Sequence, residues 1–239
     1  MTAETQLLQR VRGALRTDTT IAFDEASIVL ALSDGLLLID GEVADVSVKR
    51  RLLRSAAALV APRGIIDRLR VRPATPMEDG MIADLVRDAL IEEPALANCR
   101  LRLWVKGRPE LARDPLSATG VIDIRVEDGV VTLDGDVVGL GQKRLAGVLA
   151  WWVPGSRDVV NGLGVSPPEA DSDAEITDAV RVALEKDPFV NPDQIRVTTR
   201  TATVTLDGFV PTMSERDMAE HDAWYVCGVE NVVNRIAVA

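Results

Sequence analysis

Cysteine is nearly absent from this chain: Cys99 and Cys227 are the only two in 239 residues. That is too few to staple a secreted scaffold and suits a reducing compartment. Aromatic residues make up 3% of the sequence, with three Phe and one Tyr, a poor supply of stacking platforms for single-stranded nucleic acid. The single histidine, His221, stands between Glu220 and Asp222 with no serine motif beside it. It reads as a solvated side chain, since a proton-transfer group must be held by partners. Cys99, Cys227 and His221 have no zinc-ligand spacing, and the acidic run Asp171, Asp173 and Glu175 lacks the glycine and distal glutamate of a calcium loop. That run reads instead as the first turn of a helix, where the dipole favours negative charge. No metal, cofactor or catalytic residue is expected.

Other absences narrow the class further. No Gly-x-x-Gly occurs, which removes the backbone clamp of one class of small RNA-binding domains. No apolar run nears the ~18 residues of a membrane span, Ala56 to Ala61 being among the longest. Met1 to Arg16 show no apolar stretch ending in a small-residue cleavage site. The expectation is a cytoplasmic chain without a transmembrane segment. Its net charge of −10 argues against nucleic-acid binding, which rests on neutralising phosphates. The charge is uneven, with 11 Lys/Arg against 9 Asp/Glu in residues 1–73, 10 against 14 in 74–168, and 6 against 14 in 169–239. Only the first third is suited to an acidic partner.

What is present is a repeat. Leu38-Ile39-Asp40-Gly41-Glu42-Val43, Thr132-Leu133-Asp134-Gly135-Asp136-Val137 and Thr205-Leu206-Asp207-Gly208-Phe209-Val210 share one pattern. From each glycine, 30 residues lead to a matching valine: Val71, Val165 and Val238. Between these anchors Lys49, Lys143 and Arg216 coincide, as do Ala56, Ala150 and Ala223. Upstream, Val11-Arg12-Gly13-Ala14-Leu15, Val86-Arg87-Asp88-Ala89-Leu90 and Val180-Arg181-Val182-Ala183-Leu184 form a second shared block. Three tandem copies follow, over 1–73, 74–168 and 169–239, with linkers near Pro73 to Pro76 and Ser166 to Glu169.

Periodicity assigns the elements. Ile82, Leu85, Val86, Ala89 and Leu90, like Ile176, Ala179, Val180, Ala183 and Leu184, mark an amphipathic first helix, whereas Arg10 interrupts that stripe in copy one. A hairpin follows, turning at Asp34-Gly35 and Asp128-Gly129, residues that accept positive φ; copy three has Arg200-Thr201-Ala202 there. A second helix carries Ala146, Ala150 and Val153 or Ala219, Ala223 and Val226, with a Thr212/Glu215 capping box in copy three. A closing strand completes the unit. The predicted class is α+β: three αββαβ repeats, each a small mixed three-stranded sheet with two helices on one face and a right-handed crossover.

Three features stand out from this frame. Arg50, Arg51 and Arg54 fall opposite the apolar stripe of copy one's second helix, with Lys49 at its edge, while Arg68, Arg70 and Arg72 alternate along its closing strand. These seven are candidate contacts for an anionic phospholipid or acidic protein; a solvated face is the plainer alternative. Copy two takes 48 residues from its valine block to Asp-Gly, against 29 and 27 in copies one and three. The insertion, near 97–120, reads as a strand bearing Arg100, Arg102 and Trp104 plus a surface loop through Gly107, Pro109 and Pro115, serving an edge, an oligomer or a partner. Trp151 aligns with Trp224, and Trp152 with Tyr225, as core, inter-repeat contacts or exposed anchors.

The valine helix, the hairpin, the Leu-Asp-Gly step and the closing Gly228-Val229-Glu230-Asn231-Val232-Val233-Asn234 resemble the BON domain (bacterial OsmY and nodulation). Copy two keeps Gly155 and Asn161 of that closing segment, and copy one has Ala61 and Asp67 instead. The resemblance implies a non-catalytic module associated with phospholipid or envelope interaction and protection under osmotic stress. Its signature glycine falls on Gly41, Gly135 and Gly208, where a structural role is expected. The rival expectation is a protein-binding scaffold or homo-oligomer built through the copy-two insertion.

Overall fold

The computed structural model describes residues 3–17 and 27–239; residues 1–2 and 18–26 of the first predicted repeat lie outside them. The chain divides into two compact units, Met1–Arg72 and Pro73–Ala239. The first runs α1 (Ala3–Thr17), β1 (Ile28–Ser33), β2 (Leu36–Val43), α2 (Val46–Val60) and β3 (Ile65–Val71). β1 pairs antiparallel with β2, and β2 parallel with β3 across α2. Val11 and Leu15 of α1 meet Leu52 and Ala56 of α2 over Leu37, Ile39 and Leu69 of the sheet. Arg10 is exposed, so the interrupted stripe still buries its Val11 and Leu15 row.

The second unit repeats the order twice. Its first half is α3 (Asp79–Glu92), β4 (Cys99–Val105), β5 (Arg108–Arg113), β6 (Gly120–Glu127), β7 (Val130–Val137), α4 (Leu140–Trp152), β8 (Asp158–Asn161) and β9 (Gly164–Val165). Its second half is α5 (Asp173–Lys186), β10 (Ile195–Arg200), β11 (Thr203–Val210), α6 (Met213–Tyr225) and β12 (Asn231–Val238). The described residues thus form a mixed α+β structure with six helices and sheets of three, six and three strands. The middle sheet departs from the expected three strands because the insertion is a β-hairpin. β5 pairs antiparallel with β4, and β4 pairs parallel with β6, extending the sheet at that edge. The sequence reading of a surface loop from Gly107 onward is corrected here, since Arg108–Arg113 is a strand. Arg113 fastens it by donating to the carbonyls of Ile91, Leu96 and Cys99, groups left over at the end of α3 and the turn that follows.

The hairpin turns explain themselves locally. Asp128 and Gly129 both have positive φ, and so do Thr201 and Ala202, the geometry of a type I′ turn. Copy three manages this without glycine because Asp173, the first residue of α5, accepts from the amides of Thr201 and Ala202 at 2.7 and 2.9 Å. Those two bonds hold its carboxyl below the usual range. Asp79 does the same for Asp128 and Gly129 at 2.9 and 2.8 Å. The first helices of the second and third repeats thereby clasp the tips of their own hairpins.

The first-helix stripe is narrower than the sequence suggests. Ile82, Val86 and Leu90 are fully buried, but Leu85 is 39% exposed. The capping box is also half as expected: Thr212 accepts from the Glu215 amide, while the Glu215 carboxylate accepts from the Asn191 amide at 2.9 Å instead.

The three signature glycines share one constraint. A Cβ at Gly41, Gly135 or Gly208 would lie 2.0, 2.2 or 2.1 Å from the carbonyl oxygen of Ser27, Val121 or Gln194 respectively. Gly135 also has φ +117, in the region that disfavours any side chain. The glycine lets the preceding strand pass close enough to be gripped. We expect Gly135→Val to lower the stability of its unit by more than about 2 kcal/mol, read as a fall in the denaturation midpoint of the full chain. Gly141→Ala, in a helix with nothing within 4 Å of the added Cβ, should leave the midpoint unchanged or raise it by up to about 1 kcal/mol. Equal effects would refute the steric account.

Candidate functional site

The predicted basic surface of the first unit is smaller in the structure than in the sequence. Lys49, expected at the edge of that surface, is 5% exposed. Its ammonium lies 3.0 Å from Asp67 and donates to the Leu69 carbonyl at 2.9 Å. The physical reason is visible in the third repeat, where Arg216 at the matching position donates to the Ile236 carbonyl at 3.2 Å. Asn234 there donates to the Arg216 carbonyl and accepts from the Ile236 amide. Asn161 likewise donates to the Lys143 carbonyl at 2.7 Å. The helix cation and the strand Asn or Asp form a clasp between second helix and closing strand. In copy one Asp67 replaces asparagine, and a buried Lys49 pairs with an Asp67 that stays open to solvent.

The remaining candidates are disposed as follows. Arg50 and Arg51 are half-buried and Arg54 is exposed, and each already holds a polar partner. The sequence placement of all three on an open face is therefore corrected for Arg50 and Arg51. Arg68, Arg70 and Arg72 alternate with buried Leu69 and with Val71, which places them on the side of the sheet away from α2. They register against Asp40 and Glu42 of β2, and Arg72 is paired with Glu42 at 3.0 Å. The outer face of the strand is thus a ladder of alternating charge, with Arg68 and Arg72 exposed.

An apolar concavity lies within the second unit, between α4 and α5. It encloses about 390 Å³ over an apolar floor that includes Leu145, Val148, Ala179 and Val182, with Gln142, Glu175 and Asp178 also lining it. Gln142 is fixed by donating to the Ala95 carbonyl at 2.7 Å. A more polar recess adjoins it, sharing Gly141, Gln142 and Glu175 and including Glu169. The glycine at the N-cap of α4 offers no side chain, and Glu169 replaces it by accepting from the Leu140 amide at 2.7 Å.

Around this junction sit buried polar groups that the sequence reading missed. Arg144, 2% exposed, donates from Nε to the Cys227 carbonyl at 2.9 Å and from Nη2 to Asp171 at 2.5 Å. Trp152 donates to Asp222 at 2.8 Å, Trp151 stacks on Tyr225 at 5.5 Å, and Lys186 pairs with Glu93 at 2.8 Å. Trp151 and Trp152 thus resolve as contacts between the second and third repeats, and Trp224 as core. Asp222 had a legible signal, since it stands where the second repeat has Leu149 on an apolar stripe. Burial pushes its carboxyl up to about 8; the Trp152 N–H opposes that shift, and neighbouring Asp187 adds to it.

On the insertion, Arg102 makes a two-pronged pair with Asp123 at 2.5 and 2.7 Å, and Arg125 lies 4.1 Å over the Trp104 ring. The alternating residues of β4 therefore stitch the outer face of the sheet. Leu111 is 60% exposed and Leu116 fully so. His221 stacks near Tyr225, and among the described residues no group of His, Cys, Asp or Glu could hold a metal ion. No described helix is long and apolar enough to cross a membrane.

Comparison with known proteins adds the following. The family model described as BON domain matches residues 108–167 and 172–239, more than half of the chain. No curated protein matches. Two solved structures of CdsD, a structural protein of the Type III secretion system of Chlamydia trachomatis, show similarity at 13% identity and a TM-score of 0.25. One, of the C-terminal domain, is covered over 100% of both chains; the other over 98% of this chain and 92% of that one.

The Asp222 geometry yields a pH dependence. Its folded pKa lies above the unfolded one, so between about 4 and about 8 the folded state binds the extra proton, and stability falls as pH rises through that window. Asp222→Asn retains an acceptor for Trp152 and removes the ionisation. Denaturation midpoints measured from pH 5 to pH 8.5 should therefore decline less in the variant than in the parent chain. Parallel profiles would show that Asp222 does not titrate in that window.

Proposed function

The chain belongs to the BON domain family, and on that premise we propose that it is a non-enzymatic binding protein with weak affinity for anionic phospholipid. Residues 1–73 are a third copy of the domain in this reading, beside 74–168 and 169–239. Support comes from the clasp of Lys49, Asp67 and Leu69, which reproduces the Arg216, Asn234 and Ile236 arrangement, and from a glycine under the same steric constraint. A protective role under osmotic or envelope stress accords with the family, and a cytoplasmic place with the sequence expectation alone.

The observation that carries the lipid reading is the exposure of Arg54, Arg68 and Arg72 in the one repeat with a basic balance. Arg68 and Arg72 share the outer sheet face, the side away from α2 and Arg54, so a bilayer meets those two together; at roughly 1 kcal/mol each they give a weak, salt-sensitive contact. Glu42 and Asp40 on the neighbouring strand keep it weak. A second reading, protein binding through the insertion, draws on exposed Leu111 and Leu116.

Vesicle co-sedimentation distinguishes them. The full chain should pellet with vesicles containing phosphatidylserine at low salt, pellet less as salt rises, and remain in solution with phosphatidylcholine alone. Arg54→Glu, Arg68→Glu and Arg72→Glu together should abolish pelleting while changing thermal stability little, since exposed substitutions usually cost within about 0.5 kcal/mol each. Absence of pelleting at low salt would eliminate the lipid reading.

A further inference from the structure

The junction inside the second unit has a receiving side, which includes Ala95, Leu145 and Val148, and a donating side on α5, which includes Glu175, Ala179 and Val182. Both sides recur elsewhere in the unit. α3 is the counterpart of α5, shifted by 94 residues, and α6 is the counterpart of α4, shifted by 73. The junction covers the receiving side of α4 and the donating side of α5. The counterparts on α6 and α3 are left outward.

Those outward faces carry exposed large apolar side chains among polar ones: Asp88 stands where the junction has Val182, and His221 where it has Val148. On α3, Met81 and Leu85 take the positions of Glu175 and Ala179 and are 57% and 39% exposed. On the other side, Phe189 takes the position of Ala95 and is 71% exposed, Met213 takes that of Leu140 at 55%, and Met218 takes that of Leu145. The contrast between the helices is direct: α4 is buried continuously from Arg144 to Ala150, while α6 buries Glu215, Ala219 and Asp222 to Trp224. The α3 carboxylates beside Leu85, Asp84 and Asp88, are each paired with Arg87 at 2.6 and 2.8 Å, which lowers their repulsion from an acidic surface.

We propose that these two faces join between copies of this chain, with α3 of one copy seated on the Phe189, Met213 and Met218 face of the next. Each contact repeats the internal α4–α5 junction. The interface is heterologous, so every copy keeps one face available and association runs to chains or, where the rotation closes, rings. An end repeat that only shields its neighbour would carry a polar outer side, whereas here Phe189 and Met213 stand exposed beside Ser214 and His221.

Sedimentation velocity of the full chain across a wide concentration range tests this. The average mass should climb past that of a dimer. Met81→Asp with Leu85→Asp removes the donating face, and Phe189→Asp with Met213→Asp removes the receiving one; each variant alone should stay monomeric with unchanged far-UV circular dichroism. Met81→Asp alone serves if the α3 pair perturbs folding. Mixed in equal amounts, the two variants should form a one-to-one pair and stop there. A parent chain that is monomeric throughout overturns the proposal and makes α6 a capping face; assembly that either variant alone retains, or that mixing fails to restore as a pair, overturns it in favour of a different contact.

Discussion

Each repeat of about 70 residues has one sheet face covered by two helices, and the second of those helices has an outer side that its own sheet cannot reach. Small units of this kind bury too little surface to be robust alone. In α4 the difficulty is met by setting α5 and part of α6 against that outer side, so that Leu145 and Val148 become 6% and 1% exposed. Most of what is unusual in the second unit lies around this junction. The cleft is the gap that two crossing helices leave, and the buried Arg144 and Asp222 are the polar groups caught where linker and helix ends converge. Glu169 reaches the start of α4 because the linker must pass there.

Polar groups shut into such a junction need partners, and here they are met only in part, since Arg144 Nη1 and Asp222 Oδ2 are buried without one. Arg144 uses a carbonyl from the loop after α6 and a carboxylate from the linker. Asp222 faces Trp152 on one oxygen, with Asp187 nearby, and is held neutral by burial. The same economy appears within each repeat: an Asn or Asp of the closing strand bonds to the residue at the Lys49, Lys143 or Arg216 position of the second helix, through its main-chain carbonyl in the second and third repeats and its ammonium in the first, and in the second and third repeats an aspartate at the head of the first helix locks the hairpin turn. A side chain that looks like an exposed charge in the sequence, Lys49 above all, turns out to hold the fold.

The architecture was legible from the chain because its determinants are local and repeated. Asp-Gly turns, a glycine before the crossover, alanines four apart and matching valines 30 residues beyond each glycine specify strand, turn and helix without reference to distant residues. The steric reason for the glycine was legible in kind, and the structure supplied the object it avoids: the carbonyl oxygens of Ser27, Val121 and Gln194. The site was less legible. Whether Lys49 or Arg51 meets solvent depends on what packs beside a helix, and the pattern on the helix does not carry that information.

By itself the sequence determined the order of elements and the α+β class, because hydrophobic period and turn chemistry act within a few residues. Tertiary structure alone decided that the insertion forms a hairpin continuing the sheet, since strand pairing of β4 with β6 joins residues about twenty apart whose side chains alternate equally well in a loop-flanked single strand. It also decided that Leu85 and Phe189 face outward while Trp151 and Trp152 lie between repeats. Those outcomes turn on which helix side another repeat covers, a relation between surfaces that no single segment encodes.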